Sequence, residues 1–416
     1  MGLAGLVDAS PVNASSQGVV PALAALDMSQ DQVQAEVETA PPDAGKTSSE
    51  ADAEAIPTEN EQGFKLGGAF RANIIRRDWV SPYKTPEVDV DTIRLNLDYS
   101  DGPVIGSAEY RYYPYRGGQQ THFVHHAWMG YKFADEGEVQ AGIQQVPFGI
   151  LPYASNSWFF QLPYYVGLED AYNLGVKYGN KWGSWSGQVA YYARPAPNGV
   201  GESEDSARYT YNVVQEGDAQ NKERNTINGR LSYTAEHGPD SSTELGMSLM
   251  LGQVPNDLTH RTGSRWAAAV HAKGEYGRWG TKLEAIRYQY NLKNPVGQSD
   301  DVVVMGAYDF PYEVAAKGSI LAAGLSYTLP VNRWYLKDVT FYNDYSILMK
   351  DADGFLDTQQ NVSGASFGLG PLLIYVDLAF GKQHPYMTPS FSEGLAAGGP
   401  DNDWHTRFNV NVGYYF

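Results

Sequence analysis

The chain has 416 residues, no cysteine, 30 tyrosines, 44 glycines, a net charge of −18 and a mean hydropathy of −0.41. The lack of cysteine excludes disulfides, thiolate metal sites and thiol nucleophiles, and the acidity argues against nucleic acid as a partner. Apolar runs such as that at 266–270 are far shorter than the roughly 20 residues of a spanning helix, which excludes a helical membrane protein but leaves a barrel open.

Residues 1–61 hold 11 Asp/Glu and one Lys, a net charge of −10, and no aromatic residue. A segment rich in Ala, Pro, Asp, Glu and Ser and without aromatic rings cannot bury a core and reads as a disordered acidic leader; a partner-binding or coiled-coil segment is the alternative. It lacks the basic region and long apolar stretch of a signal peptide, so the start is truncated or export relies on residues outside this sequence. Leu6 excludes a myristoylation signal.

From Gln62 onward, alternating segments of about ten residues are separated by turn residues. Short joins fall at Asp101-Gly102, 134–138, 180–184, 236–240, 277–280, 330–334 and 369–372. Between them lie longer stretches at 77–86, 114–121, 146–170, 195–224, 254–263, 292–317, 348–359 and 383–402. Short and long connections alternate as periplasmic turns and outer loops do in outer-membrane barrels. The expected fold is all-β: a transmembrane antiparallel up-and-down barrel of about 16 strands over residues 62–416, in a bacterial outer membrane. The last strand, 403–416, puts Trp404, Phe408, Val410, Val412, Tyr414 and Phe416 on one face, and is expected to close onto 63–76.

That final strand, ending on Phe416, resembles the assembly signal of outer-membrane barrels. Residues 142–180, "GIQQVPFGILPYASNSWFFQLPYYVGLEDAYNLGVKYGN", resemble the segment around the third outer loop of the phosphate-selective porin O/P type and related substrate-specific porins. The resemblance implies a pore-narrowing loop and a homotrimer. It does not carry phosphate selectivity, because 146–170 contains no Lys or Arg.

The loop 146–170 is unusually apolar, with Pro147, Phe148, Trp158, Phe159, Phe160, Leu162, Tyr164 and Tyr165. Such a patch must be covered, either by folding inward as a constriction or within a subunit interface. By alternation, Arg71, Arg94, Arg111, Lys132, Lys177, Arg194, Arg230, Arg265, Lys273 and Arg407 face the lumen, with Asp98, Glu109, Glu244, Glu275, Asp344 and Asp377. These charges either guide anions or pair across strands. Between 281 and 292 the faces are ambiguous, because the apolar pattern slips near Ile286.

Other chemistry is sparse. Ideal strand geometry puts His122 and His126 on one face about 13 Å apart, too far to share a metal, with His125 pointing the other way. The acidic run 351–357 departs from a calcium loop in its glycine position and in Val362. No metal, cofactor or catalytic residue is expected. The expected function is passive diffusion of small hydrophilic, anionic solutes; a plugged structural or adhesive barrel is the competing reading, and a barrel enzyme comes third.

Overall fold

The computed structural model describes residues 62–416, so the acidic leader, 1–61, lies outside the described residues. Nineteen strands occur among them: β1 Gly63–Arg77, β2 Glu87–Asp101, β3 Val104–Pro114, β4 Gln120–Lys132, β5 Glu138–Gln145, β6 Tyr172–Trp182, β7 Trp185–Pro195, β8 Asn212–Val213, β9 Arg224–Gly238, β10 Ser241–Asn256, β11 Arg261–Tyr276, β12 Trp279–Asn291, β13 Val302–Ala307, β14 Phe310–Ala315, β15 Lys317–Arg333, β16 Leu336–Lys350, β17 Thr358–Leu369, β18 Leu372–Lys382 and β19 His405–Tyr415. Sixteen of them close into one antiparallel barrel, and β14, β13 and β8 form a separate three-stranded sheet. All seven expected short joins are hairpin turns, and the eight longer stretches are the loops at the other end.

The barrel closes where β19 pairs with β1, from Ala69↔Tyr415 to Arg77↔Arg407. Gly68 and Phe416 exchange backbone hydrogen bonds of 2.9 and 3.1 Å at the end of this seam. A Cβ on Gly68 would stand 2.6 Å from the Arg94 carbonyl and 2.7 Å from the Phe416 ring, so glycine is what lets the last residue dock. The outward positions of β1 and β2, including Phe70, Ile74, Ile93, Leu95 and Leu97, are exposed and apolar. Trp182, Trp185, Tyr233, Trp279, Tyr414 and Phe416 ring the hairpin end of this belt, where amphipathic rings meet the headgroups.

Three bulges reset the inward face. In β2, Arg71 pairs Thr92 and Ala72 pairs Val90, so Asp91 is an extra residue and is buried together with Thr92. In β4, Glu109 pairs His126 and Tyr110 pairs Val124, leaving His125 extra. In β7, Leu174 pairs Arg194 and Gly175 pairs Tyr192, leaving Ala193 extra.

The lumen is not open across its full width. Residues 146–171, 196–223, 292–316 and 383–404 turn inward, bringing β8, β13 and β14 inside the barrel, and Val314 bridges Leu395. Tyr164, Tyr165, Tyr209, Tyr211, Tyr308, Tyr312 and Tyr386 are fully buried in one cluster. Six of these hydroxyls find partners: Tyr164 with Tyr308, Tyr211 with Tyr386, Tyr209 with Asp170 Oδ2 at 2.6 Å and Tyr312 with the Tyr165 carbonyl, whereas the Tyr165 hydroxyl is buried without one. The cluster sits on an apolar area of the wall that includes Met250, Val254, Ala267, Ile286, Tyr288 and Ile320. This accounts for the slip near Ile286: Ile286, Tyr288 and Tyr290 point inward against the plug, and Arg287 points outward to Asp351.

Replacing Gly68 by Val is expected to lower the fraction of refolded protein that runs at the folded position in unboiled gels. Deleting Phe416 should act in the same direction through the same seam. Circular dichroism of the folded fraction should be dominated by strand.

Candidate functional site: a loop-crossed lumen beside an arginine wall

Loop 146–170 leaves β5 and crosses the barrel. Asp344 on β16, eight strands away around a sixteen-strand ring and therefore opposite, receives its middle. The Asn156 and Ser157 backbone N–H groups donate to Asp344 Oδ2 at 2.7 and 2.8 Å, and the Asn156 amide donates to Oδ1 at 2.8 Å. Leu162 N–H donates to Ser346 Oγ at 3.1 Å, and Gln360 Nε2 donates to the Phe160 carbonyl at 2.7 Å. Lys282 Nζ donates to the Ser155 carbonyl at 2.6 Å. Apart from that of the Asn156 amide, each bond satisfies a loop backbone group that burial has removed from water.

The near arm is held at the Phe148-Gly149 turn. Gly149 N–H donates to Ser248 Oγ at 3.0 Å, Arg230 Nε donates to the Gly149 carbonyl at 2.9 Å, and Ile150 N–H donates to Glu284 Oε1 at 3.2 Å. Gly149 has φ +65°, and a Cβ there would stand 2.1 Å from that carboxylate oxygen. Only glycine meets both demands. The loop aromatics Phe148, Trp158, Phe159, Phe160, Tyr164 and Tyr165 are all buried, as is Pro147.

Facing them is the wall formed by β19, β1, β2 and β3, which carries Arg71, Arg77, Arg94, Arg111 and Arg407. Arg94 and Arg111 are register partners, a like-charge pair directly opposite across adjacent strands. Arg71 Nε lies 3.0 Å from Asp91 Oδ2, Arg77 pairs with Glu87, Arg111 pairs with Glu109, and Arg116 reaches Glu87 at 2.8 Å and also bonds Asp89. Arg407 differs. It is 0% exposed, donates to the Tyr386 carbonyl at 3.1 Å and to Asn409 Oδ1 at 3.4 Å, and lies under Phe159 at 5.0 Å. Among the described residues no carboxylate forms an ion pair with it. His384 beside it cannot share charge: burial, then the Arg407 cation, lower its pKa to about 3.

The remaining predicted residues scatter around the barrel. Lys132 stands opposite Glu138 in register. Lys177 Nζ donates to the Gln145 carbonyl at 3.1 Å. Arg230 pairs with Glu244 at 2.6 Å, and Arg265 with Glu223 at 2.6 Å. Lys273 stands 3.9 Å from Glu275, whose side chain is largely exposed at the rim. Asp98 accepts from Ser107 Oγ at 2.6 Å, and Asp377 from the Tyr342 hydroxyl at 2.7 Å. Arg194 is not in the lumen. The bulge at Ala193 puts it in register with Leu174, on the opposite face from Tyr192, where it is exposed.

His125 and His126 also depart from ideal strand geometry, since the bulge turns both inward while His122 lies on the face of Tyr110 and Tyr112. Sequence reasoning missed Arg77, Glu87, Asp89, Asp91, Lys282 and Glu284. For Glu87, Asp89 and Asp91 a signal exists in "EVDVDTIRLNLD" (87–98), where the apolar phase shifts by one residue between Asp91 and Thr92. Lys282 and Glu284 fall in the segment with ambiguous faces.

No protein-family model and no curated protein matches the chain in sequence. Solved structures do match in fold. An anion-selective porin from Comamonas acidovorans aligns at TM-score 0.54 and 14% identity, over 86% of this chain and 100% of that one. The outer membrane channel DcaP of Acinetobacter baumannii aligns at 0.53 and 12%, over 87% and 100%. OmpT, an outer membrane protein of Vibrio cholerae, aligns at 0.53 and 15%, over 86% and 100%. The fold is that of the outer-membrane porins. Together with the apolar belt it places this porin-type barrel in a bacterial outer membrane.

Asp344→Asn keeps the side chain's shape but removes the charge that three loop donors share. Charge-assisted bonds contribute about 1.5–3 kcal/mol each, and the loss is expected within that range, because the amide has one accepting oxygen and turns its NH₂ toward a loop donor that the carboxylate had accepted. The temperature at which the folded gel band disappears should fall, whereas Glu275→Gln at the exposed rim should leave it unchanged.

Proposed function

We propose that the chain is a passive, non-enzymatic diffusion channel for small hydrophilic solutes, preferring anions, and that it assembles as a homotrimer. The observation that carries this reading is the loop 146–170, fastened across the lumen to Asp344 beside a wall rich in arginine. A barrel of sixteen strands is wide enough for an aqueous channel, so the loop sets the solute size and the wall sets the sign of charge.

Anion preference rests on Arg407, with which no carboxylate among the described residues forms an ion pair. Wall carboxylates Glu87, Asp89, Asp91, Asp98 and Glu109 offset most of the other arginines, so the preference is modest. The anion-selective porin of Comamonas acidovorans and the trimer form of Vibrio cholerae OmpT agree with the reading in fold. The resemblance of 142–180 to the phosphate-selective type assigns no solute, since that loop has neither Lys nor Arg.

One observation favours the competing reading of a plugged barrel. Arg71, Arg111 and Arg407 are 1, 2 and 0% exposed, and the rings of Trp158, Tyr209 and Phe159 respectively cover them. A conducting path must therefore run beside the plug or open by moving it. Single-channel recording in planar bilayers separates the two: the channel gives ohmic steps, and the plugged barrel gives none.

Deleting 153–165 is expected to raise conductance and admit larger solutes, because those buried aromatics occupy lumen volume. Unchanged conductance would remove the loop from the pore. Reversal potentials in a salt gradient should show anion preference, strongest at low salt where screening is weak. Replacing Arg94 and Arg111 together by Gln should move them toward cations, and cation preference of the parent protein would defeat the anion reading.

A further inference from the structure

The bulge in β4 does more than shift register. Consecutive strand residues ordinarily point to opposite faces, but here His125 and His126 both enter the lumen, next to Glu109 on β3. His125 Nδ1 lies 2.8 Å from His126 Nδ1 and 3.6 Å from Glu109 Oε1. One ligand atom from each of the three residues lies within 4.8 Å of the others.

The surroundings fix these donors. Ser107 Oγ donates its single proton to Asp98 Oδ1 at 2.6 Å and stands 2.8 Å from His126 Nε2. With its proton committed to the carboxylate, the hydroxyl accepts from His126 Nε2–H, which leaves the Nδ1 lone pair aimed at His125 and Glu109. Ser107 is thereby an orienting group and not a nucleophile. Metal-ligating histidines are held in this way, by a second hydrogen bond that sets tautomer and ring direction.

The His125 ring is packed between Tyr172 and Tyr209, with centroids 4.2 and 4.1 Å away. Arg111 bonds Glu109 Oε1 and Asn96 Nδ2 donates to Oε2 at 2.6 Å, orienting a carboxylate that keeps further lone pairs. His126 is partly exposed, which gives solvent a route to the cluster.

We propose that Glu109, His125 and His126 form a binding site for a first-row transition-metal dication, zinc(II) first among them. Two imidazoles and one carboxylate suit zinc, cobalt, nickel or copper, whereas magnesium and calcium take oxygen ligands. Three protein ligands leave a position for water or a passing anion. The proposal does not depend on the channel reading.

The test uses the full chain folded in detergent, titrated with Zn²⁺ by calorimetry and with Co²⁺ by visible spectroscopy, folding being checked for each variant by migration of the unboiled protein. The expected result is one Zn²⁺ per chain, not displaced by a large excess of Mg²⁺, and a Co²⁺ spectrum with nitrogen ligands. His125→Gln and His126→Gln should each abolish binding, and Ser107→Ala should weaken it about 10- to 100-fold. His405→Gln should leave it unchanged, since His405 sits apart at the outer rim between Asp78 and Asp401. Folded parent protein that takes up no zinc would overturn the proposal, as would full binding in both His125→Gln and His126→Gln. If those variants do not fold, the parent's Co²⁺ spectrum decides: one typical of oxygen ligands alone overturns it.

Discussion

Backbone hydrogen bonding in hydrocarbon is the constraint from which the rest follows. No water is present to pair an exposed strand edge, so a sheet that crosses the bilayer must close on itself. The β1–β19 seam does this, and the Gly68–Phe416 exchange of hydrogen bonds ends it. Closure creates an outer face that must be apolar and an inner face that need not be. At sixteen strands it also encloses more space than wall side chains can fill.

That surplus space shapes the interior. Four loops enter it, and each brings backbone groups and apolar rings that must be satisfied away from bulk water. The wall answers with hydrogen-bonding side chains at particular heights: Asp344, Ser346 and Gln360 on the far side, Ser248, Arg230 and Glu284 along the near arm. Wall charges that alternation marks as pore-lining are thus divided between two tasks. Asp344 and Arg230 fasten the loop, and the β19–β1–β2–β3 wall keeps most of its charge facing the rings of the loop, as where Arg71 lies 5.7 Å from Trp158. Packing loops against this wall lowers the local dielectric, so its arginines need close carboxylates. Asp91, Glu87 and Glu109 supply them to Arg71, Arg77 and Arg111, and Arg407 has no such ion pair among the described residues.

Tyrosine is the residue that makes such a plug feasible. The rings fill volume as Phe would, and most of their hydroxyls pair with another hydroxyl, a loop carbonyl or a carboxylate where a purely apolar side chain would leave that group stranded. Of the 30 tyrosines some stand at the headgroup level, Tyr233 and Tyr414 among them. Many of the others, including Tyr164, Tyr209, Tyr211 and Tyr308, are spent in the lumen instead.

Period-two alternation, the spacing of turn residues and the amphipathic last strand determined the barrel, its strand number, its closing seam and the location of its outer loops. Those signals are local, and the bilayer enforces them on every strand. The inward direction of most wall charges was legible for the same reason. Arg194, His125 and Asp91 were not, because one extra residue in a strand reverses the face of everything beyond it, and whether a strand bulges is decided by its neighbours. The assignment of Asp344 to Asn156 and Ser157, and of Glu284 to Ile150, was likewise beyond the sequence. These contacts join residues 188 and 134 positions apart that meet only because the closed ring sets one wall opposite another.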